Sequence, residues 1–171
     1  NLCMNFYEQL GIQAEGIHVP EEQQPASVPA LLKTYRPDIL VLTGHDGLLN
    51  LTEGHLNLDS YHNSRHFVNA VKAAREVDAN LDSLVIFAGA CQSQYEALLD
   101  IGANYASSPQ RVFIHAFDPV LIVEQVAFTP ISEIIALGIV AEYTITGAEG
   151  IGGVETRGKL RRGFPKSPHL P

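Results

Sequence analysis

Asp38-Ile39-Leu40-Val41-Leu42-Thr43-Gly44-His45-Asp46-Gly47 is the stretch on which the fold turns. Its apolar run is too short for a helix and ends in a glycine-bounded polar turn, which reads as a buried strand delivering polar groups at its carboxyl end. The pattern returns in Leu84-Val85-Ile86-Phe87-Ala88-Gly89-Ala90-Cys91-Gln92-Ser93. Continuous rather than alternating apolarity marks strands covered on both faces, the signature of a parallel sheet. Between the two, residues 63–77 place Phe67, Val68, Val71, Ala74 and Arg75 at helical spacing. Strand, helix and strand then form a right-handed crossover unit.

Working outward, residues 16–19 and 111–116 read as two further strands, and residues 28–35, 92–101 and 132–141 as helices, with another helix starting near Pro119. The expected architecture is α/β, a three-layer α/β/α sandwich around a mostly parallel sheet. The chain has 171 residues, enough for one core without metals or disulfides. Apolar residues make up 46% and charged residues 18%, which excludes a disordered chain or coiled coil, and no apolar stretch is long enough for a membrane helix. Cys3 and Cys91 are too few for a disulfide framework, so a reducing, cytoplasmic setting is expected. The chain opens inside a helical pattern at Asn1, as a fragment of something longer would.

The net charge of −8 argues against a nucleic-acid partner. That charge is unevenly spread: residues 1–150 hold 6 basic and 18 acidic groups, whereas the remainder holds Arg157, Lys159, Arg161, Arg162 and Lys166 against Glu155 alone. A catalytic α/β unit over 1–145 and a glycine-rich basic tail over 146–171 is the expected division, the tail flexible and solvated.

In a doubly wound sheet the functional crevice lies beyond the carboxyl ends of the strands. There the sequence puts His45 and Cys91, 46 residues apart, on neighbouring strand ends. A cysteine nucleophile needs such an imidazole, because the thiolate is the reactive form, and the start of the helix expected at 92 would favour it further. The backbone amides of Gly47 and Cys91 are candidate donors to an oxyanion. No cofactor is called for, and the sequence leaves the oligomeric state open.

An apolar strand ending in His-x-Gly and another ending in Ala-Cys resemble the caspase-like (clan CD) cysteine peptidases, which include clostripain, gingipain, legumain and separase. The match is closer with one family. Arg36 to Asp46, Ser83 to Ser93, Gly102 to Pro109 and Thr146 to Gly158 resemble the YabG family of sporulation-specific peptidases. This resemblance implies a caspase-like fold and a cysteine endopeptidase with His45 and Cys91 in the catalytic positions. It also implies cleavage after arginine, self-processing, and spore-coat and related proteins as substrates, in the mother cell or at the spore coat. Asp46, between the His and the Gly, departs from the wider clan and leaves the oxyanion amide open.

Cleavage after arginine requires a carboxylate in the specificity pocket. Asp118 follows the expected fourth strand, Glu21 and Glu22 follow the first, and Asp46 is a further candidate; Asp118 could equally cap the helix starting at Pro119, and Asp46 could orient His45. Two other readings compete. Gly89 to Ser93 could be a nucleophile elbow like those of glutamine amidotransferases and the DJ-1 group, with His115 as the base, or the chain could be a non-catalytic flavodoxin-like binding module of the spore coat. The segment Gly153 to Lys159 approximates a phosphate loop but ends in Leu160, and His55, His62 and His66 read as solvated histidines rather than metal ligands.

Overall fold

The computed structural model describes residues 2–49, 54–163 and 169; Lys166 of the basic tail lies outside them. Helix α1 (Leu2–Gln9) is followed by an irregular segment, a 3-10 turn (Glu21–Gln23) and α2 (Gln24–Tyr35). Strand β1 (Ile39–Leu42), helix α3 (Ser64–Val77) and strand β2 (Val85–Ala88) form the expected crossover unit, with β1 and β2 parallel and Leu42 level with Ala88. Next come α4 (Tyr95–Asp100), β3 (Tyr105–Ala106) and α5 (Asp118–Phe128). The chain closes with β4 (Ile134–Ile135), α6 (Leu137–Tyr143), β5 (Gly152–Gly153) and β6 (Thr156–Arg157). The main sheet runs β1-β2-β3-β5, its first three strands parallel and β5 antiparallel, while β4 and β6 make a separate two-stranded ribbon.

Strand β2 is buried at every position, and its side chains alternate between two cores. Leu84, Ile86 and Ala88 join Val28 and Leu32 of α2, Phe67, Val71 and Ala74 of α3, and Leu98 of α4. Val85 and Phe87 face the other way, onto Tyr105, Ile122 and Val126 of α5, Val140 of α6 and Ile151. A strand that must be apolar on both sides shows no alternation, which is why its run is continuous.

Several expectations need correction. Residues 16–19 form no strand: Ile17 is exposed and the segment is followed at once by Pro20. Residues 111–116 form none either, because Arg111 takes a left-handed backbone (φ 47–57° is shared by Arg36, Gln92 and Arg111) and the Ser108 hydroxyl exchanges hydrogen bonds with the backbone of Val112. The third strand is instead the two-residue β3. The helix expected from 92 begins at Tyr95, with the Gln94 side chain accepting from the Ala97 N–H at 2.6 Å. Cys91 therefore does not sit at a helix start. Ile134 and Ile135, expected to be helical, are strand β4, and α6 follows them. Residues 151–158, expected to be flexible, contribute β5 and β6, with Ile151 and Thr156 buried.

Candidate active site

His45 lies three residues beyond β1 and Cys91 three beyond β2, so the parallel pairing brings both to one sheet edge. The link is maintained past the strands: the Gly89 N–H donates to the Leu42 carbonyl at 3.0 Å. Gly89 has φ +112°, and a Cβ there would stand 2.6 Å from Ser107 Oγ and 3.0 Å from the Ser107 carbonyl oxygen. Only glycine lets the chain turn so closely over β3 toward Cys91.

Asp46 ties the two loops together. Its Oδ1 accepts from the backbone N–H groups of Gly47 (2.9 Å) and Asn63 (2.7 Å), and its Oδ2 from the hydroxyls of Ser64 (2.5 Å) and Ser93 (2.8 Å). Those hydroxyls in turn accept from the N–H groups of Gln94 (2.8 Å) and Ala90 (2.9 Å). One carboxylate thus connects the His45 loop, the start of α3 and the turn that carries Cys91. Its hydrogen bonds all go to the protein itself, as an orienting or structural group requires.

Gln92 adds a second tie. It is left-handed, with φ +57°, a conformation that costs a non-glycine residue about 1–3 kcal/mol. Two bonds hold it there: its N–H donates to the Val112 carbonyl at 3.1 Å, and its Oε1 accepts from the Leu48 N–H at 3.4 Å. The half-buried Cys91 thiol points toward the Ile114 carbonyl oxygen at 3.8 Å. Of the two oxyanion candidates, the Gly47 N–H already donates to Asp46, whereas the Cys91 N–H has no acceptor among the described residues.

Glu21 reaches His45 from the 3-10 turn before α2. Its Oε1 accepts the His45 N–H at 2.7 Å and lies 3.5 Å from imidazole Nδ1. Burial opposes ionisation of this carboxyl, but the backbone N–H groups of His45 and of Glu21 itself, with the imidazole, outweigh it and hold it below its ordinary value. Gly44 makes room, since a Cβ there would meet Glu21 Oε1 at 2.3 Å. On the opposite side Asn63 Nδ2 donates to the His45 carbonyl at 2.7 Å.

The remaining candidates are placed differently. Asp118 is fully buried and accepts from the N–H groups of His115 (2.8 Å), Ile145 (2.7 Å) and Thr146 (3.2 Å) and from the Thr146 hydroxyl. It fastens the start of α5 to the chain before it and to the turn after α6. Glu22 is exposed. His115 is exposed, and its Nδ1 accepts from the Phe117 N–H at 3.2 Å, which leaves the proton of the neutral ring on Nε2.

Sequence reading missed the residues that hold the site together. Arg111 donates to Tyr61 Oη at 2.6 Å, to Glu96 at 2.5 Å and to the carbonyls of Ser108 and Pro109, and so fixes the loop after β3. Ser93 and Ser64 gave a weaker signal, as small polar residues beside Cys91 and at a helix start. No three His, Cys, Asp or Glu residues among those described form a metal-binding group, and no described helix is long and apolar enough to cross a membrane.

A family model described as YabG peptidase U57 matches residues 1–165. The sporulation-specific protease YabG of Bacillus subtilis (strain 168) is 51% identical over 163 residues, which are 95% of this chain and 56% of that relative, so the chain spans little more than half the relative's length. No solved structure matches the chain. A match over almost the whole length, shared with a relative at that identity, establishes that the chain belongs to the YabG peptidase U57 family.

Proposed function

We propose that this chain carries the catalytic site of a cysteine endopeptidase of sporulation, with a caspase-like arrangement in which Cys91 is the nucleophile and His45 the base. The observation that carries the reading is the delivery of His45 and Cys91 from adjacent parallel strands onto one edge, with Asp46 bonded to Ser93 across the two loops. The Cys91 proton passes to His45 as sulfur attacks the scissile carbonyl, and backbone N–H groups, that of Cys91 first among them, stabilise the oxyanion. Collapse breaks the C–N bond as His45 protonates the leaving amine, and water activated by the same imidazole hydrolyses the thioester. His115 is the weaker base because its Nδ1 is already an acceptor and its Nε2 carries the proton. Spore-coat and related proteins of the sporulating cell are the proposed substrates, cut after arginine.

For the arginine pocket, Asp46 and Asp118 are committed to internal bonds and Glu21 to His45, which leaves the exposed carboxylate of Glu22 as the proposed partner of the substrate guanidinium. The division into a catalytic unit over 1–145 and a basic segment over 146–171 is part of the same proposal, with the first part of that segment packed onto the unit through β5 and Ile151. Arg161 and Arg162, exposed beyond β6, are the proposed sites of self-processing.

A fluorogenic panel with Arg, Lys, Asp or Leu before the scissile bond tests the reading on wild type, Cys91→Ala, His45→Ala and His115→Ala. Arginine-selective turnover lost in the first two variants and kept in the third is expected. Turnover surviving Cys91→Ala overturns the reading, and loss confined to Cys91→Ala and His115→Ala replaces it with the amidotransferase-like pairing.

A further inference from the structure

We infer that Glu21 is a positioning residue for His45, its carboxylate holding the imidazole with the proton on Nδ1 so that Nε2 is left as the base. The inference rests on the peptidase reading above and goes beyond it by giving the catalytic histidine a third partner. Three observations converge. Glu21 Oε1 takes the His45 N–H at 2.7 Å and stands 3.5 Å from Nδ1, so the same oxygen holds the backbone and lies beside the ring. Gly44 lacks the Cβ that would collide with that oxygen at 2.3 Å. The carboxylate is 19% exposed while the imidazole is 99% exposed, so the fixed partner is the acid and the mobile partner is the ring.

An imidazole so exposed has no packing to choose its rotamer or tautomer. A carboxylate on one nitrogen supplies both, because a neutral histidine whose Nδ1–H faces an acceptor presents a lone pair at Nε2. Glu21 is placed to do this and is not placed to bind substrate, since its oxygen is turned to the His45 backbone. Among the described residues the ring's ion-pair partner is Glu21 from the 3-10 turn, while the carboxylate of Asp46, from the ring's own loop, is turned to Gly47, Asn63, Ser64 and Ser93. The start of α3 meets the loop through uncharged groups, Asn63 on the His45 carbonyl and the Ser64 hydroxyl on Asp46.

Glu21→Gln is the discriminating variant. The glutamine carbonyl still accepts the His45 N–H, so the turn is kept, while the charge is lost. With an arginine peptide, kcat should fall by about tenfold to a hundredfold, less than the ~10⁴ typical of a buried triad carboxylate because this pair is exposed, and KM should stay within about twofold. In parallel, the ring ¹⁵N shifts of His45, read by NMR on the neutral imidazole, should show the Nδ1–H form in wild type and a larger share of the Nε2–H form in the variant, because the acceptor beside Nδ1 loses its charge. A raised KM with lost arginine selectivity and unchanged kcat would make Glu21 a pocket residue and overturn the inference. An unmoved kcat and unmoved ring ¹⁵N shifts would overturn it too, reducing Glu21 to a loop clamp. Wild-type turnover that survives Cys91→Ala would refute the peptidase reading itself, an outcome separable from the other two because the ring ¹⁵N shifts read the Glu21 contact without catalysis.

Discussion

Asp46→Asn separates a structural carboxylate from a substrate-binding one. The replacement is isosteric, and its amide oxygen keeps the two bonds from the Gly47 and Asn63 N–H groups. The loss falls on the other oxygen, which accepts from Ser64 and Ser93. Both hydroxyls already accept a backbone N–H, so each must donate, and an amide NH₂ offers no acceptor. Hydrogen bonds to an ionised group contribute about 1.5–3 kcal/mol each, so two amount to roughly 3–6 kcal/mol before compensation. The new NH₂ can donate back to the second lone pair of either hydroxyl, and the site is only half-buried, which together leave a net cost of about 2–3 kcal/mol. For a chain of this size 1 kcal/mol moves Tm by about 2–4 °C, so the melting temperature should drop by about 4–12 °C. Thermal unfolding monitored by circular dichroism reads that drop, and the arginine peptide reads KM, expected within about twofold of wild type. A Tm within about 1 °C of wild type together with a tenfold higher KM would refute the reasoning and return Asp46 to the substrate pocket.

Gly89→Ala should destabilise by about 3 kcal/mol in urea titrations, from a backbone at φ +112° and a methyl group 2.6 Å from Ser107 Oγ; an unchanged midpoint would mean that the turn over β3 relaxes freely. Asp118→Asn should lower Tm and leave arginine selectivity intact, since this buried carboxylate serves four internal donors; lost selectivity at unchanged Tm would restore it as the pocket acid. The Glu21 clamp should depend on acid. Its carboxyl is held lower in the folded chain than when unfolded, so its stabilising contribution is complete above the ordinary glutamate value of about 4.3 and disappears as pH falls through the lower folded value. Amide exchange at His45 should accelerate over that acid range in wild type and not in Glu21→Gln; identical acid profiles would show that Glu21 does not hold the loop.

The parts of the fold legible in the sequence are those whose burial is set by their own residues. Strands β1 and β2 are long enough to be covered on both faces, and α3 shows its buried Phe67, Val71 and Ala74 at helical spacing. Val112, Phe113 and Ile114 look equally strand-like, yet Phe113 is exposed, because Arg111 upstream is turned left-handed and bonded to Tyr61 and Glu96. Strand β5 is two glycines, with no side chain to announce it; Gly153 is required because a Cβ would stand 2.4 Å from the Asn104 carbonyl oxygen. At the site, position along the strands was enough to place His45 and Cys91 at one sheet edge. The partners of Asp46 were not legible, because Asn63, Ser64 and Ser93 come from elements distant in sequence and ordinary as residues.

That contrast bears on how such a site is built. Parallel pairing sets neighbouring strands about 4.8 Å apart and brings His45 and Cys91 to the same edge, but catalysis needs placement to about 0.5 Å. The difference is made up by polar side chains acting on backbone: Glu21 on the His45 N–H, Asn63 on the His45 carbonyl, Gln92 on the Leu48 N–H, and Asp46 on both loops. Each is bonded to main chain within a few residues of His45 or Cys91, the proposed catalytic pair, and each comes from a segment outside the strand that delivers the residue it holds or from the loop itself. Altering one of them would leave His45 and Cys91 chemically intact while moving them apart. In kinetic terms that is a fall in kcat with little change in KM, whereas loss of the pocket acid raises KM for arginine substrates alone. The two classes of residue are therefore separable by the same pair of constants, with Glu21 and Asp46 expected in the first class and Glu22, on the proposed reading, in the second.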